Sequence, residues 1–212
     1  TTPKPGWQNV PLRARLMDAL GGPVGIDTDV NGAALGEALL GAGKGLKSLV
    51  YYTIGTGVGG GAYDHGRLVH PEMGHMLLRP HADDPAPHGF CPYHDGCLEG
   101  MACGKAIEQR WGVPARELPP EHIAWQIEAE YLAQMCVNTI VMLSPQRIVL
   151  GGGVMHQEHL FPMVRKRTLE LLGGYVAHPA ILEHIDSYIV PPALGNNSGA
   201  VGSLLLAVRA LG

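Results

Sequence analysis

Two histidines and two cysteines, His75, Cys91, His94 and Cys97, stand in a pattern that suits metal binding. The last three form a Cys-x-x-His-x-x-Cys motif within seven residues. Zinc accepts Cys and His ligands in a tetrahedron, and a site with four protein ligands is structural because no position stays open for a substrate. The sequence therefore predicts a closed zinc site, in preference to surface histidines beside two buried cysteines.

Two glutamates flank these ligands. Glu72 lies three residues before His75, and Glu99 lies two residues after Cys97. A metal that holds His75 and Cys97 would fix both carboxylates near one place, which makes a rigid polar pocket for hydroxyl groups. His75 would then give one ring nitrogen to the metal and keep the other for a substrate.

Three glycine-rich stretches could bring the backbone close to a ligand. Residues 54–61 and 150–154 each follow a predicted strand, and consecutive N–H groups there can form a nest for phosphate, to which Thr56 adds a hydroxyl. A tight turn explains the first stretch equally well and the second one better. The third stretch, 193–202, opens the last helix as a cap, and its small residues would also let adenine lie against the helix.

Asp29 lies between a predicted strand at 24–26 and a predicted helix at 31–40. A carboxylate in this position is either a helix cap or a general base. The local sequence alone favours the cap.

The composition narrows the class of protein. The 212 residues are 46% apolar and 16% charged, which is typical of a folded globule, and the net charge of −4 disfavours nucleic acid as a partner. No apolar run is long enough to span a bilayer. Four cysteines are too few for a disulfide framework, so we expect a reducing compartment, the cytoplasm.

Periodicity and glycine breaks predict a mixed α/β domain. We expect helices at 10–20, 31–40, 97–111, 123–143, 156–172 and 198–211. We expect strands at 24–26, 48–54, 62–68, 147–150 and 185–190, with a glycine turn at 55–61.

Together these features resemble the ROK family of sugar kinases and repressors. The resemblance is carried by DTDVNGAALGE at 27–37, IGTGVGGG at 54–61, EMGH at 72–75, CPYHDGCLE at 91–99 and LGGGV at 150–154. Each segment is weak alone, but their order and spacing are specific. His94 stands where the family commonly has a cysteine, and this departure, like the opening TTPKPGW, resembles the fructokinase branch.

The resemblance implies a ribonuclease-H-like, actin-like ATPase fold and ATP-dependent phosphorylation of a hexose, with fructose to fructose 6-phosphate as the leading reaction. It implies ATP, Mg²⁺ and a structural Zn²⁺ as cofactors. A homodimer is expected, to which the helix at 123–143 would contribute. The alternatives are a glucokinase or another hexose kinase of the family, and a sugar-responsive ROK-type repressor. A zinc hydrolase needs an open metal position, so four ready ligands argue against it.

The resemblance also implies roles for single residues. Asp29 would be the general base that takes the proton from the attacking hydroxyl. The other hydroxyls would be held by Thr28, Glu72, His75 and Glu99, although the family more often has Asn at the position of Thr28. The ATP phosphates would lie on Gly55, Thr56 and Gly57, and the nucleotide would be bordered by Gly151, Gly152 and Gly153.

One family motif has no counterpart in the sequence. ROK kinases carry an Asp-x-Gly-Gly-Thr phosphate loop in a small N-terminal lobe, and nothing in residues 1–26 matches it. We therefore expect residues 1–28 to be a remnant of that lobe with the interlobe segment, and residues 29–212 to be the large α/β lobe with a zinc loop at 75–97. Because lobe closure excludes water from the transferred phosphate, we expect this chain by itself to be a poor or inactive kinase.

Overall fold

A computed structural model describes residues 6–69 and 71–212, so residues 1–5 of the predicted lobe remnant and of the TTPKPGW segment lie outside the described residues. The α-helices are α1 (Leu12–Leu20), α2 (Asp29–Leu40), α3 (Leu98–Ala102), α4 (Gly104–Trp111), α5 (Ile123–Leu143), α6 (Leu160–Leu172), α7 (Pro179–Leu182), α8 (Ile185–Tyr188) and α9 (Ser198–Ala210). The strands are β1 (Ser48–Ile54), β2 (Val58–Asp64), β3 (Arg67–Val69), β4 (Ile148–Gly151) and β5 (Ile189–Val190). Short 3-10 turns cover Met73–His75, Ala115–Glu117, Val154–His156 and Gly195–Asn197.

The strands form one mixed sheet in the order β3-β2-β1-β4-β5. β1 pairs antiparallel with β2 and parallel with β4, and β5 continues the parallel half. In the parallel pair, Thr53 lies opposite Gly151. The turn after β1 and the glycines that end β4 therefore meet at one edge of the sheet, where ligands of α/β proteins commonly bind.

The apolar run of β1 serves both faces of the sheet because successive side chains point to opposite sides. Val50, Tyr52 and Ile54 enter the larger core cluster, which α5 and α6 cover. Leu49 and Tyr51 enter a smaller cluster with the alanines of α2. The sheet is thus covered by helices on both faces, which explains why β1 is apolar throughout rather than alternating.

α2 and α9 pack against each other through glycines. A Cβ atom at Gly202 would collide with the backbone of Gly32, and one at Gly36 would lie 2.6 Å from the carbonyl oxygen of Ser198. Gly202 therefore serves helix packing and does not border a nucleotide, contrary to our expectation for the start of the last helix. Gly199 remains open and lines a cavity described below.

Buried Glu37 of α2 fixes the segment that leads into α9. Its carboxylate accepts hydrogen bonds from the backbone N–H groups of Ala42, Ala193 and Leu194 at 2.7–3.0 Å and from the Ser198 hydroxyl at 2.7 Å. These bonds satisfy a charge that would otherwise be costly to bury.

The predicted strands at 24–26 and 185–190 are wrong in whole or in part. Residues 24–26 form no strand, and Gly25 lies against the backbone of α9, where a Cβ atom would come 2.7 Å from the carbonyl oxygen of Leu206. Residues 185–190 begin as the helical turn α8, and only Ile189 and Val190 pair with β4.

The glycine turn at 55–61 and the helix at 97–111 also differ from prediction. Gly59, Gly60 and Gly61 belong to β2 rather than to a turn. Glycine is needed at position 61 because the strand passes so close to α2 that a Cβ atom there would lie 2.5 Å from the carbonyl oxygen of Val30. The helix is divided at Cys103, which adopts an extended conformation and accepts a hydrogen bond from Ala106 N–H to cap α4. The predicted helix at 156–172 begins only at Leu160.

The predicted strand at 62–68 is wrong in part, because a turn at His65 and Gly66 divides it between β2 and β3. The other predicted elements are found close to their expected bounds, and Cys103 and Cys136 are buried. Among the described helices, none combines the length and the apolar character that a membrane span requires. The predicted division between residues 28 and 29 stays a prediction.

A buried ion pair ties the segment between residues 76 and 97 to the helices. Asp84 and Arg110 meet at 2.7 Å with almost fully buried side chains, and the Tyr131 hydroxyl donates to Asp84 at 2.5 Å. Glu128 of α5 is buried close to this pair. Burial raises the pKa of the Glu128 carboxyl well above its ordinary value, the charge of Arg110 opposes this rise, and the charge of Asp84 adds to it.

Glu128→Gln should therefore make folding less sensitive to alkaline pH. A carboxyl whose pKa is raised by folding stabilises the protein below its unfolded pKa, and this contribution is lost as pH rises toward the folded pKa. As pH rises above about 5, the free energy of unfolding of the wild type should fall relative to that of the variant, with a slope of at most about 1.4 kcal/mol per pH unit. Urea unfolding of both proteins at pH 5, 6.5 and 8 measures this, and a pH-independent difference would contradict it.

Candidate functional site

The four predicted metal ligands come together in the structure. One candidate ligand atom from each of His75, Cys91, His94 and Cys97 lies within 4.8 Å of the others. The Sγ–Nδ1 distances are 3.6 Å for Cys91 with His94 and 3.6 Å for Cys97 with His75. Two sulfur and two imidazole donors at this spacing fit a tetrahedral metal ion. Burial raises the pKa of the Cys97 thiol to about 11, so in the metal-free chain this ligand keeps its proton at neutral pH.

A short antiparallel pairing closes the loop that carries these ligands. Leu77 pairs with Cys97, and the N–H of Leu98 donates to the carbonyl of Met76 at 2.8 Å. This pairing brings His75 beside Cys97 although 21 residues separate them in the chain. Cys91 is held over the start of α3, where a Cβ atom at Gly100 would lie 2.8 Å from the Cys91 backbone nitrogen.

Glu99 connects the ligand cluster with the turn after β1. Its Oε2 accepts a hydrogen bond from the N–H of Val58 at 3.0 Å. A Cβ atom at Gly57 would lie 2.5 Å from the same oxygen. The carboxylate predicted to bind sugar therefore touches the turn predicted to bind phosphate.

The 3-10 turn Met73–His75 packs on the same turn region. A Cβ atom at Gly74 would collide with the carbonyl oxygen of Val58, so only glycine permits this contact. His75 is thereby held beside the start of β2, and Glu72, immediately before the turn, stays exposed. The structure thus gathers His75 and Glu99 at the Gly55–Val58 turn.

Asp29 is exposed at the first position of α2, and the helix cap is its neighbour Thr28. The Thr28 hydroxyl accepts a hydrogen bond from Asn31 N–H at 3.2 Å, whereas Asp29 accepts one only from the next residue. The local preference for Asp29 as the cap is therefore wrong by one residue. Burial raises the pKa of the Tyr51 hydroxyl, the charges of Glu37 and Asp29 add to the rise, and a hydrogen bond with Ser198 opposes it.

The residues predicted to contact the nucleotide are divided between two cavities. Gly55, Thr56 and Gly153 line a cavity of about 820 Å³ that reaches α4. Gly151 and Gly152 line a second cavity of about 660 Å³, together with Tyr51, Arg165, Ser198 and Gly199. Gly57 lies against Glu99. Gly152 has a positive φ of 92°, and a Cβ atom there would collide with the Ile54 carbonyl, so this glycine is required for packing β4 against the end of β1.

Two cationic side chains that the sequence analysis missed line the first cavity. Lys105 is exposed at the start of α4, and Arg116 lies in the turn that follows the helix. Among the described residues Lys105 has no ion-pair partner, whereas Arg116 meets Glu117 at 3.2 Å. The sequence analysis predicted a continuous helix at 97–111, which places Lys105 in the middle of that helix. A lysine at a helix start beside a glycine turn would have indicated a phosphate contact.

The sequence pattern of the ROK family matches residues 1–210. The chain belongs to the ROK family. The fructokinase of Zymomonas mobilis is 46% identical over 215 residues, which cover 99% of this chain and 70% of that protein. The fructokinase of Pediococcus pentosaceus is 44% identical over 215 residues, 100% of this chain and 73% of that protein. The predicted membership of the ROK family and its fructokinase branch is confirmed.

Comparison of solved structures confirms the fold. A ROK hexokinase from Thermus thermophilus matches with a TM-score of 0.79 at 31% identity, over 94% of this chain and 70% of that structure. The mixed α/β sheet with helices on both faces is therefore the actin-like ATPase fold of ROK sugar kinases, as predicted.

Lys105→Met should weaken nucleotide binding to this ROK protein. A lysine without an ion pair, in the cavity next to Gly55 and Thr56, is placed to interact with phosphate oxygens, and a charge-assisted contact contributes about tenfold in affinity. Calorimetric titration with Mg-ADP measures the effect. Lys166→Met, which removes an exposed lysine from a different cavity, is the matched control and should leave the affinity unchanged. Equal affinities of the Lys105 variant and the wild type would contradict this assignment.

Proposed function

We propose that this protein is an ATP-dependent hexose kinase that converts fructose to fructose 6-phosphate. The observation that carries the proposal is the contact between Glu99 and the Gly55–Val58 turn, because it joins hydroxyl-binding carboxylates to a phosphate-binding backbone. The substrate is supported by fructokinases that are 38–46% identical over nearly the whole chain.

Asp29 is proposed as the general base. Its carboxylate is exposed at the start of α2 and accepts no hydrogen bond from a side chain among the described residues, so it is available to a sugar hydroxyl. It takes the proton as the hydroxyl oxygen attacks the terminal phosphorus of ATP, and the bond to the ADP oxygen breaks. The remaining hydroxyls are assigned to Thr28, Glu72, His75 and Glu99.

The turn after β1 and the end of β4 are proposed to bind ATP. The phosphates lie against the turn of Gly55, Thr56 and Gly57, to which Thr56 and Gly57 offer backbone N–H groups, since the N–H of Gly55 donates to the Gly57 carbonyl. Lys105 adds a positive charge, and Gly151, Gly152 and Gly153 border the nucleotide. Mg²⁺ bound with the phosphates would neutralise the charge that develops during transfer. Positioning and charge stabilisation are the main demands of phosphoryl transfer, and these residues meet both.

The Cys/His cluster is proposed to hold a structural zinc ion. His75, Cys91, His94 and Cys97 supply four ligands, which leaves no open position for an activated water. A closed site argues against a zinc hydrolase. Metal binding instead stabilises the loop that places His75 and Glu99, since the free energy of binding a structural zinc is also free energy of folding.

A glucokinase or another hexose kinase of the family is the alternative substrate assignment, since sugar choice depends on pocket shape. A ROK-type repressor is the alternative class, and the exposed carboxylate of Asp29 favours the enzyme because a sugar sensor needs no general base. The homodimer, the lack of a nucleic-acid partner and the cytoplasmic location stay predictions.

ADP release by the complete gene product with Mg-ATP should be fastest with fructose when fructose, glucose, mannose and N-acetylmannosamine are offered separately. Asp29→Asn should lower kcat by about 10³-fold and leave fructose binding within a few-fold, because the amide cannot accept the proton. The wild type serves as the control in the same coupled assay. Unchanged turnover in the variant would contradict the role of Asp29, and no turnover with any sugar would favour the repressor.

His94→Ala should abolish stoichiometric zinc and lower the melting temperature, whereas His88→Ala should do neither. Both histidines are exposed in the same loop, but His88 pairs with Asp95 outside the ligand cluster. Loss of one of four ligands should weaken zinc affinity by more than about 100-fold. Metal analysis and thermal unfolding before and after chelation provide the two readouts, and full zinc in the His94 variant would contradict the ligand set.

A further inference from the structure

The Glu99 carboxylate has two oxygens with different surroundings. Oε2 accepts the hydrogen bond from the N–H of Val58 at 3.0 Å. Oε1 has no hydrogen-bond partner among the described residues, and the residue is half-buried rather than closed off from solvent. One oxygen is therefore used by the protein, and the other is available to a ligand.

The turn that Glu99 contacts has few other supports. Within the turn, the N–H of Gly55 donates to the carbonyl of Gly57 at 2.9 Å. From outside, the N–H of Gly104 donates to the carbonyl of Gly55 at 2.7 Å. Thr56 at its tip is exposed. The bond from Val58 to Glu99 is thus one of the two described contacts by which the α3–α4 region fixes a turn rich in glycine, whose backbone is otherwise free to adopt many conformations.

Glycine at position 57 makes this contact possible. A Cβ atom there would lie 2.5 Å from Oε2 of Glu99, closer than a carbon atom comes to a carboxylate oxygen. The contact of Glu99 with the turn therefore requires the absence of a Cβ atom at position 57. Any residue other than glycine would push the carboxylate away from the Val58 N–H.

We infer that Glu99 is a positioning residue for the nucleotide as well as a sugar ligand, and that it couples the binding of the two substrates. Oε2 holds the turn in the conformation that receives phosphate, and Oε1 accepts a sugar hydroxyl. A bound sugar fixes the carboxylate and thereby the turn, so each substrate binds more tightly when the other is present. This inference rests on the proposed function, because it takes the turn as the phosphate site and Glu99 as a hydroxyl acceptor.

The test measures the affinity for Mg-ADP in the absence of sugar. Under this condition, a residue that only binds sugar has no influence on the ADP affinity. Glu99→Ala should weaken Mg-ADP binding about tenfold by calorimetry, since the turn loses a hydrogen bond to a charged acceptor. Glu99→Gln retains an oxygen that can accept from Val58 N–H, so its ADP affinity should stay within about twofold of the wild type. Glu72→Ala is the matched control: it removes the other proposed sugar carboxylate, which is exposed and accepts no hydrogen bond from the turn, and should leave ADP affinity unchanged.

A second variant keeps the inference testable if Glu99→Ala does not fold. Gly57→Ala retains the Glu99 side chain but displaces its carboxylate from the Val58 N–H. This variant should therefore weaken both ADP binding and fructose binding. In the wild type, fructose should tighten ADP binding about fivefold or more, and this increase should disappear in Gly57→Ala.

The outcomes separate the inference from the proposed function. If the Glu99→Ala protein, or Gly57→Ala where the former does not fold, binds ADP as tightly as the wild type without sugar, the inference is wrong, while fructose turnover by the wild type still supports the kinase. If the wild type turns over no hexose, the proposed function fails instead, whatever the ADP affinities are.

Discussion

The parallel pairing of β1 with β4 is the constraint on which the rest of the site depends. Because two parallel strands end at the same edge of a sheet, the turn after β1 and the glycines after β4 become neighbours although about a hundred residues separate them. The intervening chain forms the metal loop and the helices α3 to α5, which must return over the face of the sheet. The ligand loop is therefore delivered to the edge where the glycine turn lies.

Glycines then allow backbone segments and side chains near this edge to come into direct contact. Gly74 lets the His75 turn touch Val58, Gly57 admits the Glu99 carboxylate, and Gly61 lets β2 pass beneath α2. Each contact would be blocked by a single Cβ atom. The glycines that suggested phosphate binding in the sequence thus have two kinds of role, some open to a cavity and others closed against a neighbour. Gly152 has both roles, because it lines the second cavity and also packs against Ile54, whereas Gly55 and Gly153 line the first cavity.

The metal loop and the glycine turn depend on one another through α3. Cys97 ends the ligand cluster, and Glu99 follows it in the first turn of the helix. A metal ion that fixes Cys97 would also fix Glu99 relative to Val58. A metal ion in this cluster would take no part in phosphoryl transfer, but it would determine where Glu99 and the glycine turn lie.

Local sequence patterns predicted part of the fold and of the candidate site, but not the features that depend on tertiary contacts. Cys91, His94 and Cys97 were found because their spacing is local, and His75 was predicted with them as the fourth ligand of a closed site. The strand β1 and the helix α5 followed from long apolar patterns. The break at Cys103 could not be read from the sequence, because a free thiol is an uncommon helix cap, and with it the position of Lys105 was missed. The composition of residues 24–26 suits either a strand or an irregular segment. The tertiary contact with α9 determines that this segment does not form a strand.

The most direct test of the kinase assignment is the identity of the product. The complete gene product, incubated with Mg-ATP and ¹³C-labelled fructose, should give one phosphorylated sugar whose ³¹P and ¹³C NMR signals place the phosphate on the oxygen of carbon 6, in equal amount to the ADP formed. Phosphate on another carbon would contradict the proposed conversion of fructose to fructose 6-phosphate. ADP formed without a phosphorylated sugar would contradict the transfer itself.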